Sequence, residues 1–316
     1  MHGPDDLILQ SRIPASADGH LLLDFLCSRF PYHARPRWIA EIEAGRLFVD
    51  EHAATATTRL RGGAQLAYHK HHVEPFVDRD VRVLHEAAAL LAVHKPAHLP
   101  MHADGPFVRN TLVHILRQQF GRELHPVHRL DRETSGLVIL ARTLPARQHL
   151  QAQFAAGSVR KVYHAVVRGL VAADFVVDLP IGHATQSRIT LRRLAGPGAR
   201  EARPATTRFQ VLQHGRQHTL LACLPETGRT HQILAHLEAA GHPLLGDKLY
   251  GRPDDDYLAF IARVKAGGDA RAVPPGEPDR QLLHAAELTF VHPDDGSPRT
   301  LTAPTPDEFV AWLDRD

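Results

Sequence analysis

The chain has 316 residues, 43% hydrophobic and 23% charged, with a formal net charge of +2. That composition describes a folded globular protein and excludes a low-complexity or strongly charged disordered chain. With so small an excess of positive charge, an anionic partner must be met by local patches, and the 24 His add charge only as pH falls. The two cysteines, Cys27 and Cys223, lie in apolar runs and cannot form a disulfide framework, which points to a reducing cytoplasm. The opening MHGPDDLILQ lacks the charged-then-apolar pattern of a secretory leader. No apolar run approaches membrane-spanning length, so no membrane partner is expected.

In chain order, the first predicted elements are two short helices over residues 20–45. "HLLLDFLCSRF" brings Leu22, Phe25, Leu26 and Phe30 to one helical face. "RPRWIAEIEAG" follows, with Pro36 near its start and Gly45 as its stop. "RLFVD" and "AQLAYH" read as short strands joined by a turn that contains Val49, Asp50 and Glu51. From Met1 to His72, eight Lys or Arg balance eight Asp or Glu, a net charge of zero. The neighbouring "YHKHH" has no carboxylate or Cys at ligand spacing and reads as a solvated edge rather than a metal site. "HVEPFVDRD", polar and holding Pro75, reads as a linker. The predicted domains are therefore 1–72 and 73–316.

In the second domain, "LLAVHKPAHLPMH" predicts a strand ending at Lys95, and "NTLVHILRQQFG" an amphipathic helix stopped by Gly121. "SGLVILAR" reads as a buried strand, followed by a helix over 144–156 that ends at Gly157. "KVYHAVVRGLV" alternates as a strand does, and further strands are predicted at "TRFQVLQ", "HTLLACLP" and "LTFVHP". "SRITLRRLAGPGAREAR" is either a phosphate-binding hairpin or a merely soluble loop. Residues 230–240 predict a helix closed by Gly241, and 252–280 a surface insertion rich in Pro, Gly and Asp. Hairpin-spaced strands with interspersed helices make the fold class α+β, with a mixed or largely antiparallel sheet.

Two stretches carry the candidate chemistry. "HRLDRETSG" sets Arg129, Asp131, Arg132 and Glu133 side by side between apolar flanks. Taken alone, Asp131 reads as a turn residue or a helix cap as readily as a catalytic group. In "LPETGRTHQI", Arg229 precedes a helix N-terminus, where a cation opposes the helix dipole. Such a placement points to an anionic partner elsewhere, for which Asp131 is a candidate, or to a side chain in solvent.

Together with "VHKPAHLPMH", "RKVYHAVV", "GHPLLGDKLYG" and "LLHAAELTFVHP", these stretches resemble, in order, the RluA family of pseudouridine synthases over residues 80–295. The resemblance implies the pseudouridine synthase fold, a central mixed, mainly antiparallel sheet with flanking helices. It also implies an isomerase that converts uridine in structured RNA to pseudouridine. The N-terminal pattern resembles an S-four-like RNA-binding module, though a small packing module without RNA contacts fits its neutral charge as well. The resemblance gives Asp131, Tyr163 and Arg229 catalytic roles. It makes His128, Arg129, Leu130, Lys95, Thr134, Lys161, His231 and Gln232 substrate-binding. No metal or other cofactor is implied, because isomerisation neither adds nor removes atoms. The expected partner is ribosomal or transfer RNA, bound by a cytoplasmic monomer. Two departures stand out: Leu234 replaces a common Arg and His94 a common Asn. The rival reading is a non-catalytic RNA-binding or ribosome-assembly protein on the same fold.

Overall fold

The computed structural model describes residues 6–121, 123–266, 268–269 and 271–315. The chain divides into two units, Met1–Pro75 and Phe76–Asp316.

The first unit runs β1 (Asp6–Arg12), α1 (Leu22–Arg29), α2 (Arg35–Glu43), β2 (Leu47–Val49), β3 (His52–Ala53) and β4 (Gln65–His71). Its strands form an antiparallel sheet in the order β1-β4-β2-β3. The two predicted helices are present, and α1 buries Leu22, Leu23, Phe25 and Leu26. Strand β1 was not anticipated from the sequence. Trp38 of α2 is fully buried among the rings of Phe30, Tyr32, His33 and Tyr68. The β2–β3 turn places Asp50 (φ 46°) and Glu51 (φ 68°) in left-handed conformations, which usually favour Asn-Gly. Asp50 is steadied there because its carboxylate accepts the Gln65 N–H at 2.8 Å.

The second unit begins with β5 (Arg82–Glu86), β6 (Leu90–Lys95), α3 (Leu112–Phe120), β7 (His125–Pro126), β8 (Ser135–Ala141) and α4 (Leu144–Ala156). It continues with β9 (Arg160–Arg168), β10 (Phe175–Asp178), β11 (Ile181–Ala184), β12 (Arg193–Ala195), β13 (Ala199–Arg203), β14 (Thr206–His214) and β15 (His218–Pro225). The last elements are α5 (Gln232–Ala239), α6 (Asp254–Lys265), β16 (Leu283–Val291), β17 (Pro298–Thr302) and α7 (Asp307–Leu313). A ten-stranded sheet has the order β10-β14-β15-β9-β16-β8-β6-β5, with β17 added to β16 and β7 to β8. Its β16–β8 pair is parallel, and its other pairs are antiparallel. A smaller sheet has the order β12-β11-β13.

Strand alternation explains why the middle of the large sheet is buried on both faces. Leu91, Val93, Val138 and Leu140 join the α3 residues Leu112, Ile115 and Leu116 in one core cluster. Leu90, Ala92, Leu137 and Ile139 join Ala146 and Leu150 of α4 in another. Thr111 caps α3 by accepting the His114 N–H, and Thr143 caps α4 by accepting the Ala146 N–H.

Two predicted elements need correction. Helix α5 starts at Gln232 rather than Thr230, because His231 takes a left-handed conformation just before it. The 252–280 insertion contains α6, favoured by Asp254, Asp255 and Asp256 in its first turn and by Arg263 and Lys265 in its last. The arginine-rich stretch supplies β12 and β13, which flank β11 rather than pairing with each other as a hairpin, and two of its arginines are already committed. Arg192 pairs with Glu238 at 2.6 Å and Asp254 at 2.9 Å, and Arg188 pairs with Asp255.

Candidate active site

Three neighbouring strands bring the site together. Ala285 on β16 pairs with Gly136 on β8 and with Tyr163 on β9. Gly136 has φ 114°, and a Cβ there would lie 2.3 Å from the Ala285 carbonyl oxygen. Only glycine lets β8 approach β16 so closely. The loop feeding β8, which carries Asp131, is thereby brought level with Tyr163. A register slip between Ala285 and Glu287, opposite Tyr163 and Val162, is the kind of bulge that re-aims side chains beside active sites. Lys161 and Tyr163 are two residues apart on β9 and so share a face.

The charges of "HRLDRETSG" divide into those that build the loop and those left for a ligand. Glu133 accepts from Lys248 Nζ at 2.7 Å, Arg132 Nη2 at 3.1 Å and the Gln281 N–H at 3.2 Å. Burial raises its pKa, but Lys248 and Arg132 outweigh that and hold it below the usual carboxylate range. Thr134 accepts from Gln281 Nε2 at 2.8 Å. His128 accepts the Ile139 N–H on Nε2 at 3.0 Å and stacks on Phe154. Burial, with Lys161 nearby, pushes the His128 pKa down to about 4, so the ring is neutral. By contrast, the Asp131 carboxylate accepts no hydrogen bond and makes no ion pair among the described residues, and Arg129 is exposed.

The opposite wall is the 225–232 loop. Gln232 organises it: Oε1 accepts from Thr227 Oγ1 at 2.7 Å and from the Arg229 N–H at 3.0 Å. Its Nε2 donates to the Thr206 carbonyl and to Thr207 Oγ1, each at 3.0 Å. Lys161 Nζ donates to the Thr227 carbonyl at 2.9 Å. Burial, then Arg229, lowers the Lys161 pKa.

These walls enclose a cavity of about 320 Å³, lined by ten of the eleven residues predicted from sequence. They are Asp131, Tyr163, Arg229, His128, Arg129, Leu130, Thr134, Lys161, His231 and Gln232. The eleventh, Lys95, is a correction. It is fully buried outside the lining, and its ammonium donates to the carbonyls of Pro96, Leu99 and Arg132 at 2.9, 2.8 and 3.1 Å. It ties the 96–99 loop to the loop that carries Asp131, and burial and Arg280 lower its pKa to about 7. His128 and Gln232 line the cavity, but the hydrogen bonds just given tie them to the protein framework. The anticipated Asp131–Arg229 ion pair is also absent; Arg229 Nε donates instead to the Pro204 carbonyl at 3.0 Å. Sequence reasoning passed over Phe154, Thr227 and Tyr250, although Tyr250 lies in the quoted "GHPLLGDKLYG". Leu234 is buried in the core cluster under the cavity, so no cation stands at that position.

Arg129, Lys161 and Arg229 line the cavity together with Asp131, the single lining carboxylate among the described residues. Such a cavity attracts an anionic ligand while keeping one unpaired nucleophile or base. Residues 89–239 match the RNA pseudouridylate synthase family. Ribosomal large subunit pseudouridine synthase D of Neisseria meningitidis serogroup A is 31% identical over 95% of this chain and 80% of the relative. The chain belongs to the RluA family of pseudouridine synthases. The Pseudomonas aeruginosa protein of the same description is 32% identical, over 96% of this chain and 93% of the relative. The human RNA pseudouridylate synthase domain containing 1 superposes with a TM-score of 0.59 at 25% identity, covering 74% of this chain and 87% of that one.

As a pseudouridine synthase, the chain is an RNA isomerase. Its cavity is large enough for a single flipped nucleotide rather than a helix. No helix among the described residues is long and apolar enough to cross a membrane. No group of three or more His, Cys, Asp or Glu among them is placed to hold a metal ion.

Proposed function

We propose that this synthase isomerises a uridine of large-subunit ribosomal RNA, acting as a cytoplasmic monomer with Asp131 as its catalytic carboxylate. The observation that carries the reading is the unpaired Asp131 carboxylate, in a cavity lined by three cations and by Tyr163. An ionised carboxylate there can attack the ribose carbon or remove a ribose proton as the bond to uracil nitrogen breaks. Tyr163 stacks on the base and assists loss of the proton from carbon 5. Arg129, exposed at the rim, enters the gap left in the RNA, where a guanidinium can stack and contact phosphate. Arg229 and Lys161 hold the anionic backbone. The ribosomal substrate is supported by the relatives described as large-subunit pseudouridine synthases. A pseudouridine map of total RNA with and without the gene tests it. One site lost from large-subunit RNA is expected; a site lost from transfer RNA instead would overturn the substrate.

The N-terminal unit is proposed to be an S-four-like module that contributes site selection rather than general affinity. Three arginines that could make a local RNA contact, Arg35, Arg37 and Arg46, are already paired: Arg35 with Asp24, and Arg37 and Arg46 with the buried Glu41 at 2.7 and 2.8 Å. With a net charge of zero over residues 1–72, it releases few counterions on binding. A truncated chain, Val73–Asp316, is therefore expected to fold and to isomerise a short stem-loop at near the full-length rate. Losses should appear only on long structured RNA. Assays of both chains on both RNAs at two salt concentrations check this. A large loss on the stem-loop by a folded truncated chain would make the module part of the active cleft.

A further inference from the structure

We propose that His231 is a hydrogen-bond donor to the target nucleotide, with its proton held on Nε2 by Tyr250. This rests on reading the Asp131 cavity as the site of isomerisation. The Arg193 N–H, on β12, donates to the Tyr250 hydroxyl at 3.0 Å. The same hydroxyl lies 3.0 Å from His231 Nδ1. A phenol has one proton, and Tyr250 is only 2% exposed. If the hydroxyl accepted from both neighbours, its own proton would be buried without an acceptor, which folded proteins avoid. The hydroxyl therefore donates to Nδ1, and the neutral ring carries its proton on Nε2.

Two further observations agree. His231 has φ 55°, a left-handed conformation uncommon outside glycine and often found where a functional side chain is being aimed. The ring lines the cavity, and Nε2 has no partner among the described residues. Burial keeps the ring neutral: it lowers the His231 pKa, with Arg193 and Arg129 adding to it against the opposing charge of Asp131.

A fixed N–H donor needs an acceptor oxygen. In the target nucleotide, these are the uracil carbonyls, the ribose 2′-hydroxyl and the phosphate. Cytosine carries an amino donor where uracil has its 4-carbonyl, so a fixed donor at that edge would also favour uracil. Arg193 belongs to β12 in the arginine-rich stretch, so one hydrogen-bond chain links that strand to the cavity.

Two measurements on the full chain test this. The first is a long-range nitrogen-15 spectrum of His231 at neutral pH. It should show the Nε2–H tautomer in the wild type and a mixture in Tyr250→Phe. An Nδ1–H or doubly protonated ring in the wild type overturns the proposal. The second compares His231→Gln with His231→Leu, both unbranched at Cβ and so equally strained at φ 55°. The Gln amide nitrogen can replace Nε2, so His231→Gln should keep most of kcat/KM, while His231→Leu loses about 10- to 100-fold. Equal losses overturn the proposal. RNA carrying 2-thiouridine, 4-thiouridine, 2′-deoxyuridine or a methylphosphonate at the target locates the oxygen. The analogue that slows the wild type but not His231→Leu names it, and if none behaves so, the contact does not exist. Asp131→Asn separates the premises. Should that variant stay active, the site reading fails whatever tautomer His231 shows.

Discussion

Asp131→Asn is expected to abolish pseudouridine formation, by on the order of 10³-fold or more, while leaving the fold unchanged. The amide keeps the volume and shape of the carboxylate, removes its charge and exchanges one acceptor oxygen for a donor NH2. The structure separates the two effects unusually well, because the Asp131 side chain makes no hydrogen bond or ion pair among the described residues. Its backbone carbonyl, which accepts the Thr134 N–H at 3.1 Å, shapes the turn and survives the substitution. The loop is held instead by Glu133, Lys248, Arg132 and Gln281. Thermal unfolding should therefore shift by no more than about 1 kcal/mol. A control at Glu133 should behave in the opposite way. Glu133→Gln weakens the pairing with Lys248 and should cost stability before chemistry. Single-turnover assays and unfolding curves on the same samples make the comparison. Substantial residual turnover in Asp131→Asn would take Asp131 out of the catalytic role.

What could be read from the sequence follows from where the information resides. Strands β6, β8 and β9 and helices α3 and α4 announced themselves by apolar runs, alternation and glycine stops. Ten cavity residues were named because they occur in contiguous motifs. What the sequence left open was how each polar group is spent. Lys95 sits in a family motif, yet three carbonyls use its donors. Gln232 looks like a ligand residue, yet both ends of its amide brace the loop. Arg229 breaks a helix-dipole preference, which suggested Asp131 as its partner. That partner is the Pro204 carbonyl, 25 residues earlier in the chain. Tyr250 stayed unread because its importance lies in a contact with His231 across the fold. Pairing over such distances leaves no periodic trace in a single sequence. The β1 strand was missed for a related reason. Seven residues with Leu7, Ile8 and Leu9 in a row do not alternate, and the strand is defined by its register with β4.

Tyr163→Phe is expected to retain RNA binding within about twofold and to slow the isomerisation by roughly 10²-fold. The ring lies against the core clusters on its own side of β9 and remains available to stack on the base. Its hydroxyl has no hydrogen-bond partner among the described residues, so Phe leaves no buried donor or acceptor orphaned and should unfold at nearly the same temperature. What is lost is the hydroxyl to which the proposed function gives the proton transfer. Burial, and then the negative charge of Asp131, raise the Tyr163 pKa far above the ordinary tyrosine value. The sign matters for mechanism. A raised pKa means that the phenol keeps its proton throughout the neutral range, so the resting enzyme holds no phenolate waiting as a base. Tyr163 can accept the proton from carbon 5 only by passing its own onward. The wild-type pH–rate profile should therefore show no ascending limb from Tyr163 between roughly pH 6 and 10. A rate that climbs steeply through that range, and does so only while Tyr163 is present, would establish a phenolate base and refute this account. Should RNA binding collapse in Tyr163→Phe while the bound fraction reacts at the normal rate, Tyr163 would be a binding residue alone. Proton removal would then fall to Asp131, the one carboxylate lining the cavity among the described residues.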